Sequence, residues 1–415
     1  MQKNNIKIVF GLLVFVSFAF GGKGSIYSRY GVGEVNTFLS GKNTGMGNTG
    51  IAMFGETHIN LLNPASTANI TNTILSASYQ YSNFTSEDAS GSSLFGTGNI
   101  NSFALAFPVY SPKKMVVTFG ILPFSTVGYE QKVTGTTLSG DQYSQSFDGR
   151  GGISSGQLGL SYAVNTDIIV GLTTHYLFGS IYRDQTITFA TENYFGGSFN
   201  QTYSLSGFGF TLGGIYSGID QALGLSENKQ MNLGVTLFSG SSLDYDEQTL
   251  RNFSTDQDTI SVNDKAIDLP VGFSFGLAYL KNRTIYAADV HIQNWGNFKV
   301  NGVHPSEIQN SVRVGAGVEF LPSSDFISDE FWKRISYRFG GYYRMTNLSM
   351  NNQSINEMFG SAGISFPMSI ETRLHVGLEY GIRGTTSASL IKDSLLRLTV
   401  SVSASELMFI QPPIE

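Results

Sequence analysis

The sequence predicts an all-β fold, a transmembrane antiparallel β-barrel of about 14 strands with an N-terminal glycine-rich plug, or hatch, in its lumen. Three observations predict it. Short segments in which every second residue is apolar follow one another from Thr73 almost to Phe409. Only 13% of the 415 residues are charged, against roughly 25% in soluble domains. A single apolar run, at the extreme N-terminus, could be a helix of membrane type. A bilayer requires every backbone N–H and C=O to be paired within the protein, so without apolar helices a closed barrel is what remains.

Taken in order, residues 1–21 read as a secretory signal. Lys3 and Lys7 precede an apolar core from Ile8 to Phe20, and Ala19-Phe20-Gly21 supplies small residues for cleavage near Gly21. Residues 22–72 form the plug. Its stretch from Ser25 to Ala68 lacks alternation, carries Gly31, Gly33, Gly41, Gly45, Gly47, Gly50 and Gly55, and closes on Asn63-Pro64-Ala65, a turn signal. Residues 73–409 form the barrel. Residues 410–415, with Pro412 and Pro413, form a short periplasmic tail that could present an extended segment to a partner.

The strands are read from their apolar rows. Leu75, Ala77, Tyr79 and Tyr81 alternate with Ser and Gln; Met115, Val117, Phe119 and Ile121 share a face, as do Leu158, Leu160 and Tyr162. Similar rows continue through Phe208 to Leu212, Met231 to Leu237, Val271 to Tyr279, Tyr286 to Ile292, and five more ending at Val402. One such row fits any half-buried strand; their number is what signals a barrel. Connections alternate in length. Tyr110 to Lys114, Asn165 to Asp167 and Lys281 to Arg283 are tight, and the segments 83–99, 124–151, 183–201, 239–268 and 293–309 read as long polar outer loops. With short turns periplasmic, both termini are expected on that side.

Opposite the apolar rows sit Asp289, His291, Arg313, Glu319, Arg338, Arg344, His375, Glu379 and Arg383. A charge facing lipid at mid-depth costs about 2–4 kcal/mol, so these residues are expected to point inward. Their opposite signs on neighbouring strands predict ion pairs between wall and plug.

Composition also excludes. The chain has no cysteine, which removes disulfides, thiolate nucleophiles and cysteine-held zinc. A net charge of −6 argues against a nucleic-acid partner. The five histidines never stand at metal spacing, and no metal or other cofactor is expected. Gly45-Met46-Gly47-Asn48-Thr49-Gly50 matches G-x-G-x-x-G but has no strand before it and no βαβ unit around it. Gly152-Ile153-Ser154-Ser155-Gly156 matches the nucleophile-elbow spelling but opens a strand, so no enzyme is expected; a lipase with a wall Ser–His pair is the remote alternative.

Gly45-Met46-Gly47-Asn48-Thr49-Gly50-Ile51-Ala52, the Asn63-Pro64-Ala65 motif and the barrel behind them resemble the FadL-type outer-membrane transporters of long-chain fatty acids and other hydrophobic molecules. The opening Ser25-Ile26-Tyr27-Ser28-Arg29-Tyr30-Gly31-Val32-Gly33 is similar to that of Bacteroidota members of the same superfamily. The resemblance implies a hatch motif at Gly45, Gly47, Gly50, Asn63, Pro64 and Ala65. It also implies passive uptake of a fatty-acid-like ligand past that hatch in the outer membrane, with lipid around the wall. Phe189, Tyr194, Phe195 and Phe199 then offer a ligand groove among the outer loops, or an interfacial aromatic girdle. Relatives also serve as accessory subunits of larger outer-membrane insertion or secretion complexes, and this second role is expected as the alternative.

Overall fold

The computed structural model describes residues 24–37, 40–89, 91–191, 194–224, 229–253, 256–321, 330–369 and 372–406. The signal, its cleavage point, Phe409 and the tail lie outside these residues.

The wall is a closed antiparallel barrel of 14 strands. In order they are β1 (Thr73–Glu87), β2 (Ser92–Tyr110), β3 (Met115–Thr136), β4 (Gln142–Ala163), β5 (Ile168–Phe189) and β6 (Gly197–Tyr216). β7 comprises Lys229–Phe238 and Ser241–Phe253, and β8 comprises Asp256–Leu269 and Gly272–Lys281. Then come β9 (Thr284–Gln293), β10 (Ser311–Phe320), β11 (Ser336–Met350), β12 (Gln353–Pro367), β13 (Thr372–Gly384) and β14 (Lys392–Glu406). The two parts of β7 lie end to end along β6, the first on Thr211 to Tyr216 and the second on Gly197 to Gly207. The break falls at Gly240, whose φ of +75° only glycine adopts without strain. β14 closes the barrel on β1, from Glu406 opposite Thr73 to Lys392 opposite Glu87.

The apolar rows face outward, as lipid demands. Leu75, Phe103, Phe119, Ile121, Leu158, Phe208 and Phe275 are all exposed around the outside of the wall. The tight connections gather at one end, here the near end, where Tyr110 is joined to Met115 through a single 3₁₀ turn and Lys281 to Thr284 through two residues.

The expected outer loops differ from the structure. Residues 83–99, 124–151, 183–201 and 239–268 are for the most part strand, joined by turns as short as that between Glu87 and Ser92. The acidic stretch 239–268 is the paired far halves of β7 and β8. The physical reason is height. β3, β4 and β5 each run 22 residues, about 70 Å at 3.3 Å per residue. The apolar band of a barrel is about 25 Å tall. Above it the outer face meets water, so polar residues stand on both faces and the lipid-type alternation disappears while the backbone pairing continues.

The far halves enclose an apolar core of their own. Val127, Tyr129, Ile153, Leu177, Ile181, Leu205, Leu243 and Tyr245 point inward and pack with Tyr27 and Val32 of the N-terminal segment and with Trp295, Phe298 and Ile308 of the β9–β10 connection. Trp295 and Phe298 are fully buried.

The N-terminal segment runs the length of the interior. It starts at the far end, where Gly24 N–H donates to Gly128 O at 2.9 Å, Ser25 Oγ donates to Asp393 and Tyr27 O–H to Ile391 O. Glu34–Val35 adds a two-residue strand to β3 at Thr126 and Ser125. A five-residue helix follows, α1 (Gly41–Gly45), capped by Ser40, whose Oγ accepts from Asn43 N–H. The segment reaches the near end as a 3₁₀ turn, Pro64–Asn69, capped by Asn63, and Ile59 and Ile70 pack there with Ile74, Ala104, Ala106 and Val116. The expectation that both termini share one side falls on residues outside those described. The first described residue, Gly24, and the last, Glu406, lie at opposite ends of the barrel.

Candidate functional site: the lumen and the segment it holds

A belt of inward-facing glycines lets the segment's backbone touch the wall. Gly171 and Gly213 face each other across β5 and β6, Gly234 and Gly276 across β7 and β8, Gly317 and Gly340 across β10 and β11, Gly363 and Gly377 across β12 and β13. A Cβ on Gly317 would stand 2.3 Å from Met46 O, on Gly234 2.2 Å from Ile51 O, and on Gly213 2.1 Å from Asn63 Oδ1. Those contacts are too short for any side chain. β9 has no glycine at this level. It carries Asp289, opposite Gly276 and Gly315, and this buried carboxylate accepts Gly50 N–H at 2.6 Å and Ile51 N–H at 3.0 Å.

Charges complete the attachment on the β10–β14 side. Buried Arg338 donates from Nε and Nη2 to Glu319 Oε1 at 2.9 and 2.7 Å and from Nη1 to Ser365 Oγ, which in turn meets His375 Nδ1. Lys42 on α1 reaches the other oxygen of Glu319 at 3.3 Å. Nearer the far end, Arg383 donates to Glu357 at 2.7 Å and grips both oxygens of Glu34, and Arg397 adds a contact to Glu34 at 3.2 Å. Burial alone would raise the Glu34 carboxyl, but Arg383 and Arg397 hold it down at about 2. Burial, reinforced by Lys42 and His375, keeps the segment's His58 neutral, far below the ordinary histidine range.

The sequence-predicted polar wall sorts as follows. Asp289, Glu319, Arg338, His375, Glu379, Arg313 and Arg383 are buried. Asn48 Nδ2 donates to Glu379 at 2.8 Å, and Arg313 donates to Asn48 O at 3.1 Å and to His291 Nε2 at 2.6 Å. His291 is partly exposed, and Arg344 lies 3.9 Å from Glu357, a loose ion pair. Gly45 and Gly47 lie against the belt at Gly363 and Gly341, Gly50 packs on Asn43 and Leu62 of its own segment, and Asn63 bridges to Ile51 O at 2.8 Å. Pro64 and Ala65 pack on Gly171. Phe189, Tyr194, Phe195 and Phe199 do not converge. Phe189 packs on Tyr194 at 5.1 Å between ring centroids, Phe199 on Phe253 at 5.1 Å, and Phe195 is 78% exposed.

Sequence reasoning missed Glu34, Lys42, Glu357, Asp393 and Arg397, and the belt as a feature. For Glu357 and Arg397 a signal existed: both stand on the polar side of a continued period of two. The Ser155–His175 pair exists at 3.3 Å from Oγ to Nδ1, but Ser155 sits within β4 and the other imidazole nitrogen meets Thr211 Oγ1 at 2.8 Å rather than an acid. That arrangement lacks the strand-to-helix elbow and the orienting carboxylate of a hydrolase.

Two cavities remain beside the segment. The larger, about 580 Å³, is the more polar of the two, lined by Glu34, Asn36, Gln80, Asn99, Arg344 and Glu357 together with Val35, Phe84 and Tyr342. The smaller, about 210 Å³, touches Val35, Leu61, Leu62, Phe124, Leu177 and Phe238 as well as His175, His291 and Arg313.

A closed 14-strand barrel with apolar outward rows and a polar, segment-filled lumen defines an outer-membrane β-barrel of the FadL-like transporter fold. Among solved structures it resembles a Pseudomonas aeruginosa FadL homologue, with a TM-score of 0.61 at 12% identity over 90% of this chain and 99% of that one. It also resembles the Pseudomonas putida toluene transporter TodX, with a TM-score of 0.59 at 13% identity over 91% and 100%. The monoaromatic hydrocarbon channel CymD gives a TM-score of 0.58 at 14% identity over 92% and 100%. No curated protein matches the sequence. The BamG family model matches residues 1–414, and the chain belongs to the BamG family.

Proposed function

We propose that this chain works as a non-transporting barrel subunit of a larger outer-membrane complex for protein insertion or secretion. One observation carries the reading: the luminal segment is bound to the wall at both ends and along its middle. Backbone hydrogen bonds hold it at Gly128, glycine contacts hold it along the belt, and ion pairs hold it at Glu34 and Lys42. A hatch that must shift for cargo would break several buried charge-assisted bonds together. The larger cavity carries Glu34, Arg344, Glu357 and Arg397 in its lining, charges that an apolar ligand would strip of water without pairing. Membership of the BamG family fits a complex subunit.

The second reading is passive uptake of a hydrophobic small molecule. The apolar side of the smaller cavity favours it, since Leu61, Leu62, Phe124 and Phe238 would contact such a ligand. Gentle detergent extraction of the tagged protein from its native membrane, followed by native mass spectrometry, separates the two. Fixed stoichiometry with another large barrel supports the subunit reading. A lone barrel carrying bound fatty acid or another apolar molecule overturns it.

A further inference from the structure

The wall is not zipped evenly. β2 and β3 pair only from Phe103 opposite Ile121 to Tyr110 opposite Met115. Toward the far end each continues without the other: β2 from Ser92 to Ser102 pairs with β1, and β3 out to Thr136 pairs with β4. By contrast, β4 with β5 and β14 with β1 stay paired over nearly their whole length. Among the described residues no backbone partner lies on the side of β2 that faces β3 between Ser93 and Ile100. The gap opens directly into the larger cavity, which Thr97 and Asn99 line from β2 and Thr126 and Val127 from β3.

We propose that this seam is a docking site for an extended segment of a partner protein, which adds as a strand along the free edge of β2. The inference rests on the subunit reading and names the surface through which the subunit is held. The edge of β3 across the seam already accepts strand addition, since Glu34–Val35 of this chain pairs there with Thr126 and Ser125. Asn36 N–H adds a further bond to Phe124 O at 2.9 Å. The free edge of β2 offers the same unpaired donors and acceptors, a ready template for strand addition.

The side chains state the partner's chemistry. On the outer face of β2, Leu94 is 69% and Ile100 53% exposed, while Thr97 and Asn99 face the polar cavity. A strand seated there would alternate apolar residues outward with polar residues inward. The side of the far half of β8 turned away from β7 is a second sparsely paired edge, held among the described residues at Ala266, Ile267 and Asp268, but none of the lining of this cavity comes from it. It serves as the comparison.

The test places a photo-crosslinking amino acid singly at Ser93, Leu94, Thr97, Asn99 and Ile100 in the full chain in its native membrane. Parallel probes go at Thr259 and Ser261 on β8 and at lipid-facing Tyr380. Crosslinked peptides are mapped by mass spectrometry. The expected result is one partner segment whose crosslinked residue advances by two for every two residues along β2, with at least tenfold less adduct from β8 and Tyr380. Gly98→Pro, which removes a backbone donor on the side of β2 that faces β3, should lower both adduct and co-purified partner at least tenfold while the barrel keeps its heat-modifiable gel mobility. Leu94→Pro, closer to the hairpin and with its N–H on the same side, replaces it if the first variant does not fold. A complex that co-purifies but gives no register from β2, or survives both proline variants unchanged, overturns the seam while leaving the subunit reading intact. Absence of any complex overturns both.

Discussion

The two sides of this barrel treat the same buried segment differently. β10–β14 hold residues 41–50 through ion pairs and glycine contacts, with Glu319, Arg338, Glu357, Glu379 and Arg383 all buried. β3 holds residues 24–36 chiefly through backbone hydrogen bonds at the far end, and a cavity and an open seam lie between it and β2. The difference teaches where rigidity resides. A buried charge whose partner is lost stays uncompensated, so the charged side resists any displacement of the segment. The polar cavity side has room to accept a neighbour.

The largest effect should come from filling the belt. Gly317→Leu places a side chain where Met46 O lies 2.3 Å from the Cβ position, and backbone on both sides leaves nothing to yield. The expected outcome is loss of the heat-modifiable folded barrel. Gly360→Ala, at a glycine with nothing within 4 Å, should fold and melt like the parent. If Gly317→Leu folds normally, the segment is not seated on this wall.

Arg383→Ala comes next. It leaves buried Glu357 with only the 3.9 Å contact to Arg344 and Glu34 with Arg397 alone, and losing one partner of a buried pair costs about 3–5 kcal/mol. Denaturant unfolding in detergent should show that loss. Arg344→Ala removes only a contact of 3.9 Å from a residue beside the cavity and should stay within about 1 kcal/mol. Equal effects from the two would erase the distinction between locked and loose charges. Asn63→Ala should fall between them, since it removes the cap of the 3₁₀ turn and the bond to Ile51 O, at about 1–2 kcal/mol.

The same contrast explains what the sequence reveals. The apolar rows such as Phe119 and Ile121 are legible because lipid selects one face of each strand. Arg338 and Glu379 are legible because a charge on such a strand has only the lumen to face. The far halves of β3 to β8 are opaque, since above the membrane both faces tolerate polar residues and nothing marks Lys132 or Gln145 as strand. Glu357 is harder to read because the luminal row of its strand also carries buried Ile355 and Phe359, so the alternation there is apolar on both faces. Glu34 and Lys42 hide because the order of residues in an irregular segment does not say which strand each will meet. The belt hides in plain letters: Gly317 and Gly340, or Gly363 and Gly377, gain meaning only when the register sets them side by side.

The smallest effect tests the charged side by protonation rather than by truncation. Glu34 titrates at about 2 in the fold, against 4.5 for the free side chain, because Arg383 and Arg397 outweigh its burial. Its stabilising contribution is therefore complete above pH 4.5 and is lost as pH falls through that window toward 2. The parent should lose stability over that interval more steeply than Glu34→Gln, which keeps the shape and one acceptor but has no charge to neutralise. The check is the melting temperature of both proteins in detergent at pH 6, 4 and about 3, read as the difference between the two curves rather than as either one, because other carboxylates titrate in both. Converging curves at low pH place Glu34 among the groups that hold the far end of the segment to β13 and β14. Parallel curves would mean that the backbone bonds to β3 hold that end alone, and the asymmetry between the two sides would then be confined to residues 41–50.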